Sequence, residues 1–318
     1  MSALRIVVIG AGHMGRHHAL KAAELGSAGE IEFAGVADSV LPRARRLARA
    51  TRTRAFACAA DSFAEADAAI VSVPTAAHFE VVRAALEAGL DVLVEKPIAA
   101  GLDQAETLLD LARRRGRVLR VGSQEWHNPA MRAVRPKIQR PIFIECQRVG
   151  PFSERGVDVD VVRDLMIHDL DILQKLLGAE PVRIDATGVP VVTDKIDIAS
   201  ARIAFPGGCV ANLTASRVSR RSTRKLRCFQ RDAYFAVDFI AQSATIFRRV
   251  EARRGEAPRV GAEELAVERD DPLVAQLRAF VRAVADGDVR ASTDDVALTA
   301  LRTALRVVEA MSCARDLA

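Results

Sequence analysis

Through its first 121 residues the chain alternates short apolar runs with longer amphipathic stretches. Arg5 to Ile9, R-I-V-V-I, is an unbroken run rich in β-branched residues, the pattern of a buried strand. Arg16 to Leu25 has helical character, and Ile31 to Ala37 reads as a second strand that ends at Asp38. Ala69 to Val73 is a strand ending at Pro74 and Thr75, and Phe79 to Ala88 an amphipathic helix. Leu90 to Val94 is a strand ending in Glu95-Lys96-Pro97. Leu102 to Arg115 reads as helix and Val118 to Val121 as strand. Strands alternating with helices predict a parallel sheet.

Beyond residue 121 the pattern changes. Asn128 to Arg135 reads as helix and Pro141 to Val149 as strand. Asp164 to Leu173 reads as a helix, with apolar residues at Leu165, Met166, Leu170, Ile172 and Leu173. Strand signals dominate from Val182 to Phe247, clearest at Ala199–Phe205, Cys209–Ala215, Leu226–Gln230 and Tyr234–Phe239. Gly207-Gly208 reads as a hairpin turn. Pro272–Ala285 and Asp294–Ala314 read as two closing helices.

The first turn carries Gly10-Ala11-Gly12-His13-Met14-Gly15 between a strand and a helix. Gly10 permits a tight turn, Gly12 lets a pyrophosphate approach the backbone, and Gly15 lets the helix pack on the sheet. Free N–H groups at the helix start then face the phosphates. Asp38, ending the next strand, can accept hydrogen bonds from ribose hydroxyls, and its charge opposes a 2′-phosphate, which favours NAD over NADP. Arg43, Arg45 and Arg46 are placed on the exposed face of the following helix. Ligands of such sheets lie beyond the carboxyl ends of the strands. The cofactor set is therefore Gly10, Gly12, His13, Met14, Gly15, Asp38, Pro74, Thr75, His78, Glu95 and Lys96. The expected fold is α/β: an N-terminal Rossmann dinucleotide-binding domain over 1–122 and a C-terminal α+β domain over 123–318. The second domain is built on a mostly antiparallel open sheet, and the closing helices are free to pack back on the first.

Asp164 and His168 are four residues apart, on one helix face. A carboxylate there orients an imidazole and stabilises its protonated form, the pairing expected of a general base.

Composition narrows the classes. Half the residues are hydrophobic and 27% charged, as in soluble globular proteins. No apolar run is long enough to cross a bilayer, and the N-terminus leads into a strand with no signal-peptide pattern, so a cytoplasmic location is expected. Cys58, Cys146, Cys209, Cys228 and Cys313 are widely spaced, which argues for reduced thiols and against a zinc site or disulfide framework. The net charge of +5 is spread along the chain among acidic residues and has no recognition motif beside it. That argues against nucleic-acid binding, while still suiting an anionic substrate.

Val7 to Gly15, Glu95-Lys96-Pro97, Gly122 followed by Asn128-Pro129, and Asp164-Leu-Met-Ile-His168-Asp-Leu-Asp171 occur in the order seen in the Gfo/Idh/MocA oxidoreductases. The resemblance covers essentially the whole chain. It implies a Rossmann domain followed by an open-sheet domain whose outer face forms a homo-dimer or homo-tetramer contact. The implied substrates are sugars, polyols and their nucleotide derivatives, with no metal. The family's lysine, aspartate and histidine fall on Lys96, Asp164 and His168. His168, polarised by Asp164, is then the base for a sugar hydroxyl, and Lys96 stabilises the charge on the reacting oxygen, although Lys96 itself could be the base. Lys96, Trp126, His127, Asp171 and Arg217 are the substrate-contact candidates. Trp126 and His127 replace the arginine and phenylalanine of many relatives.

Gly150-Pro151-Phe152-Ser153, Val159 to Asp171, Ala211 to Arg217, Arg224-Lys225 and Phe229-Gln230 resemble a narrower subgroup, the UDP-N-acetylglucosamine 3-dehydrogenases. These oxidise the sugar 3-hydroxyl before an aminotransferase acts, in lipid A assembly. Arg217, Arg220, Arg224 and Lys225 would suit a diphosphate. The alternatives are a polyol or free-sugar dehydrogenase of the same family, an NADPH-using reductase, or a non-catalytic NAD-binding regulator. The last has no need of a base.

Overall fold

The structure is a computed structural model that describes residues 3–153, 159–250, 257, 259–289 and 295–315. In chain order the first elements are β1 (Arg5–Ile9), α1 (His13–Ser27), β2 (Glu32–Ala37), α2 (Leu41–Thr51) and β3 (Arg54–Phe56). They are followed by β4 (Ala68–Val71), α3 (Thr75–Glu87), β5 (Asp91–Val94), α4 (Leu102–Arg115) and β6 (Leu119–Val121). Next come α5 (Pro129–Val134), β7 (Phe143–Val149), α6 (Ile167–Leu177), β8 (Arg183–Val189), β9 (Ile198–Ala204) and β10 (Val210–Ser216). The last are β11 (Thr223–Phe229), β12 (Ala233–Asp238), β13 (Ser243–Val250), β14 (Arg259–Glu264), α7 (Pro272–Ala285) and α8 (Asp295–Arg315). The chain divides into two units, residues 1–124 with 273–298, and residues 125–272 with 299–318.

The first unit holds a six-stranded sheet in the order β3-β2-β1-β4-β5-β6, with every pair parallel. The chain runs outward from β1 to β3 and then crosses back to β4. The reversal puts a switch point at the carboxyl ends of β1 and β4, where sheets of this kind take ligands. Its strands read as unbroken apolar runs because both faces are covered. Ile6, Val8, Ile70 and Leu93 pack with Ala19, Ala22 and Leu25 of α1 and with Leu277 and Phe280 of α7. α1 begins at His13, three residues earlier than the apolar period suggests, because Gly12 is extended and the chain turns helical straight after it. β3 has three residues, too few to show a period.

The second unit holds an eight-stranded sheet in the order β14-β13-β12-β11-β7-β10-β9-β8. β7 and β10 pair in parallel and the remaining pairs are antiparallel. The sheet alternates: Ile144, Cys146 and Arg148 of β7 are buried, while Phe143, Glu145 and Gln147 between them are not. On the inner face Leu213, Leu226 and Phe235 join one core with Met166, Leu170 and Leu173 and with Ala304 and Val307 of α8. On the outer face Glu145, Gln147, Arg202, Asn212, Lys225 and Arg227 surround a shallow depression of about 450 Å³. Phe143, Phe229, Tyr234 and Phe247 form an aromatic ladder across four strands, with ring centroids 5.6, 5.0 and 4.2 Å apart.

Among the described residues, Cys146, Cys209 and Cys228 are buried and Cys58 is exposed, with all four free. Burial raises the Cys146 thiol well above its ordinary value and pushes Cys228 up to about 12, so both stay protonated. The Cys313 side chain and Asp294 lie outside the described residues. No described helix is long and apolar enough to cross a membrane.

Candidate active site

The three glycines of the first loop do different work. Gly10 has φ +100°, and a Cβ there would lie 2.7 Å from the Ser72 carbonyl oxygen. A Cβ on Gly15 would lie 1.7 Å from the Gly10 carbonyl oxygen. Both are glycines because the fold leaves no room. A Cβ on Gly12 would meet nothing within 4 Å. Gly12 therefore opens onto space at the start of α1, where no side chain caps the helix and no acidic residue lies in the first turn. An open cradle at a helix N-terminus fits a dinucleotide pyrophosphate. His13 beside it is exposed and Met14 half-buried.

Asp38 closes the loop from the side. Its Oδ2 accepts the Ala11 N–H at 2.6 Å and its Oδ1 accepts the Val40 N–H at 2.7 Å. Each oxygen has further lone-pair capacity for ribose hydroxyls. Arg43, Arg45 and Arg46 are exposed on α2.

Pro74 and Thr75 start α3 directly after β4. His78, one turn on, is 1% exposed. Its Nδ1 lies 2.7 Å from the Pro97 carbonyl oxygen and its Nε2 2.9 Å from that of Val73. Burial depresses its pKa below the ordinary histidine value, against the pull of the two carbonyls. Both ring nitrogens face backbone carbonyls, one of which takes the neutral ring's single N–H, so His78 presents neither nitrogen to a cofactor.

Glu95 is also turned inward. Its Oε1 lies 2.6 Å from Nε2 of His18 on α1. A Cβ on Gly122 would come within 3.1 Å of its Oε2, so Gly122 makes room for it. Burial pushes the Glu95 carboxyl up, but His18 and the Lys96 charge outweigh burial and hold it below the ordinary value. Lys96 follows, half-buried, joined to Pro97 by a cis peptide bond. Sequence reasoning missed His18. Its signal was its place three residues after Gly15, on the buried side of α1.

In the second unit, Asp164 lies in a π-helical turn, Val162–Met166, which runs into α6 with His168 and Asp171. The regular helix expected from Asp164 thus opens with a wider i→i+5 turn, a feature common at functional sites. Asp160 anchors the start: its carboxylate accepts the N–H groups of Val162 and Arg163, each at 3.0 Å, and Arg163 Nε at 2.6 Å. Asp164 and His168 are both half-buried.

The substrate candidates separate. Asp171 is buried and accepts from Lys175 Nζ at 3.0 Å. Trp126 packs on the core, with the Arg135 guanidinium 4.9 Å and the Lys175 ammonium 5.8 Å from its ring. Arg217 is 4% exposed, donates to the Val159 carbonyl at 2.7 Å and lies 3.5 Å from the Asp197 carboxylate. Asp197 also accepts the N–H groups of Val191, Val192 and Thr193, which hold its carboxyl far below the ordinary value despite burial. Asp171 and Arg217 therefore sit in internal ion pairs rather than on an open face. His127 and Lys96 are half-buried. The four basic residues suited to a diphosphate do not share a face: Arg217 is buried, Arg220 is exposed, and Lys225 lines the outer depression. Arg224 stands on the inner-face parity of β11, 3.6 Å from Glu125.

Residues 4–123 match the family profile described as an oxidoreductase family with an NAD-binding Rossmann fold, and residues 147–232 match the GFO/IDH/MocA C-terminal domain. The UDP-N-acetylglucosamine 3-dehydrogenase of Acidithiobacillus ferrooxidans is 39% identical over 283 residues, covering 89% of each chain. The chain belongs to the Gfo/Idh/MocA oxidoreductase family. A solved structure of UDP-N-acetylglucosamine 3-dehydrogenase GnnA from Acidithiobacillus ferrooxidans matches it with a TM-score of 0.88 at 36% identity. The match covers 98% of this chain and 99% of that one. The myo-inositol dehydrogenase Hyg17 of Streptomyces leeuwenhoekii is 31% identical over 231 residues, covering 67% of this chain and 70% of its own. As a Gfo/Idh/MocA protein the chain is an oxidoreductase, and its parallel and mostly antiparallel sheets are those the family resemblance implied.

Proposed function

We propose that this Gfo/Idh/MocA protein oxidises the 3-hydroxyl of UDP-N-acetylglucosamine to the 3-keto sugar with NAD. An aminotransferase would then act on the product, as a step toward lipid A. The observation that supports this reading best is the 39% identity to a UDP-N-acetylglucosamine 3-dehydrogenase across 89% of both chains. Gly10, Gly12, His13, Met14, Gly15 and Asp38 would hold the dinucleotide, with Pro74, Thr75, Glu95 and Lys96 at neighbouring strand ends. Bound NAD supplies the hydride acceptor. His168 takes the hydroxyl proton, Asp164 stabilises the imidazolium that forms, and Lys96 donates to the oxygen as negative charge builds there. Asp38 supports NAD over NADP by charge. The protein works in the cytoplasm as a homo-oligomer joined through the outer sheet face.

A second reading, a polyol or free-sugar dehydrogenase, is favoured by the similarity to Hyg17 and by the separation of Arg217, Arg224 and Lys225 in the fold. The deciding experiment is a panel of nucleotide sugars, free sugars and polyols assayed for NADH formation, with an aminotransferase and amino donor added to draw off the ketone. NADH from UDP-N-acetylglucosamine is expected. Turnover of inositol or glucose alone would move the assignment to the second reading.

A further inference from the structure

One ionic cluster in the second unit takes no part in the chemistry above. Arg148 lies on the inner face of β7, paired in register with Ala215 of β10 and Arg224 of β11. Its side chain is 4% exposed. Nε and Nη2 donate to the two carboxylate oxygens of Asp169 at 3.1 and 2.8 Å. Nη1 donates to Glu125 Oε1 at 2.7 Å, and Arg224 stands 3.6 Å from the same oxygen. Asp169 and Glu125 are both buried, and the Phe239 ring lies 5.8 Å from the Arg148 guanidinium.

Burying three charges is a poor source of stability, since desolvation offsets much of their attraction. What the cluster supplies is direction. A guanidinium is a planar fork, so a two-pronged bond fixes the angle of the carboxylate it holds as well as its distance. Asp169 is the residue after His168 on α6, and Glu125 immediately precedes Trp126 and His127. The segment leading into α6 is a π turn rather than a regular helical run from its Asp160 anchor. Leu170 and Leu173 already pack α6 on the core, and the forked bond from β7 to Asp169 adds a directional restraint one residue from His168.

We infer that Arg148 is a positioning residue for His168: it fixes the rotation of α6 through Asp169, and with the same guanidinium sets the turn that carries Trp126 and His127. The inference rests on His168 being the base. A displacement of about 1 Å at such a group lowers rates on the order of 100-fold.

The test uses Arg148→Lys, which keeps the charge but loses the fork, and Asp169→Asn, which keeps the shape but loses the charge. Each is compared with wild type by NMR of protein labelled with nitrogen-15 histidine. The His168 signal among the six histidines is assigned by its loss in His168→Ala. The expected result is a moved titration midpoint or altered tautomer signal for His168, with the first-unit signals of His13, His17, His18 and His78 unchanged. On UDP-N-acetylglucosamine, kcat per NAD-binding site should fall 10- to 100-fold with little change in NAD affinity. An unmoved His168 titration in both variants, with kcat within twofold of wild type, would overturn the inference. If Arg148→Lys does not fold, Asp169→Asn decides by its tautomer signal and its kcat, because the lost charge by itself moves the midpoint. Near-normal rates in His168→Ala would instead sink the assignment of the base, a different failure from an unmoved His168 signal.

Discussion

The Asp38 carboxylate accepts the Ala11 N–H at 2.6 Å, joining the end of β2 to the glycine loop that follows β1. One side chain thus shapes the loop and places negative charge where the adenosine ribose would lie. Asp38→Ala should weaken NAD by about 10-fold, roughly 1.4 kcal/mol, and NADP much less. Steady-state kinetics with each coenzyme measures the ratio. An equal change for both would remove Asp38 from ribose selection.

Gly12 and Gly15 should part company when a methyl group is added. Gly15→Ala places a Cβ against the Gly10 carbonyl and should fail to give stable protein. Gly12→Ala meets nothing in the protein, so its melting temperature should stay within a degree or two of wild type. Its methyl would occupy the space assigned to the pyrophosphate, so coenzyme affinity should fall at least 10-fold. Thermal melts with and without NAD separate the two effects.

His168→Ala and Lys96→Ala should each lower kcat by about 100- to 10,000-fold, the range for removing a general acid–base group. Both should still bind NAD, which fluorescence titration can check. A variant that loses coenzyme binding as well would point to a role in the cofactor site rather than in proton transfer.

The protein should lose stability on mild acidification through His78. Burial depresses its folded-state pKa, so near the ordinary value of about 6.5 the unfolded chain takes up a proton that the folded chain refuses. Stability is fully present above that value and falls with pH below it, until the folded state also protonates. Glu95 adds a second decline at lower pH, because its folded-state pKa lies below the ordinary carboxyl value. Urea melts between pH 7 and 5 should show the first slope in wild type and a flatter one in His78→Asn. Equal slopes would exclude His78 as its source.

The aromatic ladder on the outer sheet face offers a test of assembly. Tyr234→Asp puts a charge between Phe229 and Phe247, whose rings now stack on either side of Tyr234. Sedimentation should show a homo-oligomer in wild type and a shift toward monomer in the variant. An unchanged distribution would place the contact elsewhere.

The two sheets were legible because each writes its own period. The covered parallel strands read as unbroken apolar runs, and the second sheet reads as alternation. The same alternation held a signal that sequence reasoning passed over: Arg148 stands at the inward parity of Ile144 and Cys146, where a charge must find partners. The glycine loop was legible for a different reason, since each glycine answers a local steric demand. β3 and the π turn left no mark, one being too short for a period and the other differing from an α-helix by a single wider turn.

By itself the sequence determined the parallel dinucleotide-type unit, the open-sheet unit, and the residue types available for acid–base chemistry, because period and turn chemistry are local properties. Only the tertiary structure decided what each polar side chain faces. It turned His78 and Glu95 to the interior of the first unit, and it enclosed Asp171 and Arg217 in ion pairs. Those outcomes depend on contacts between residues far apart in sequence, and on the cost of burying a polar group without a partner, which local pattern does not record.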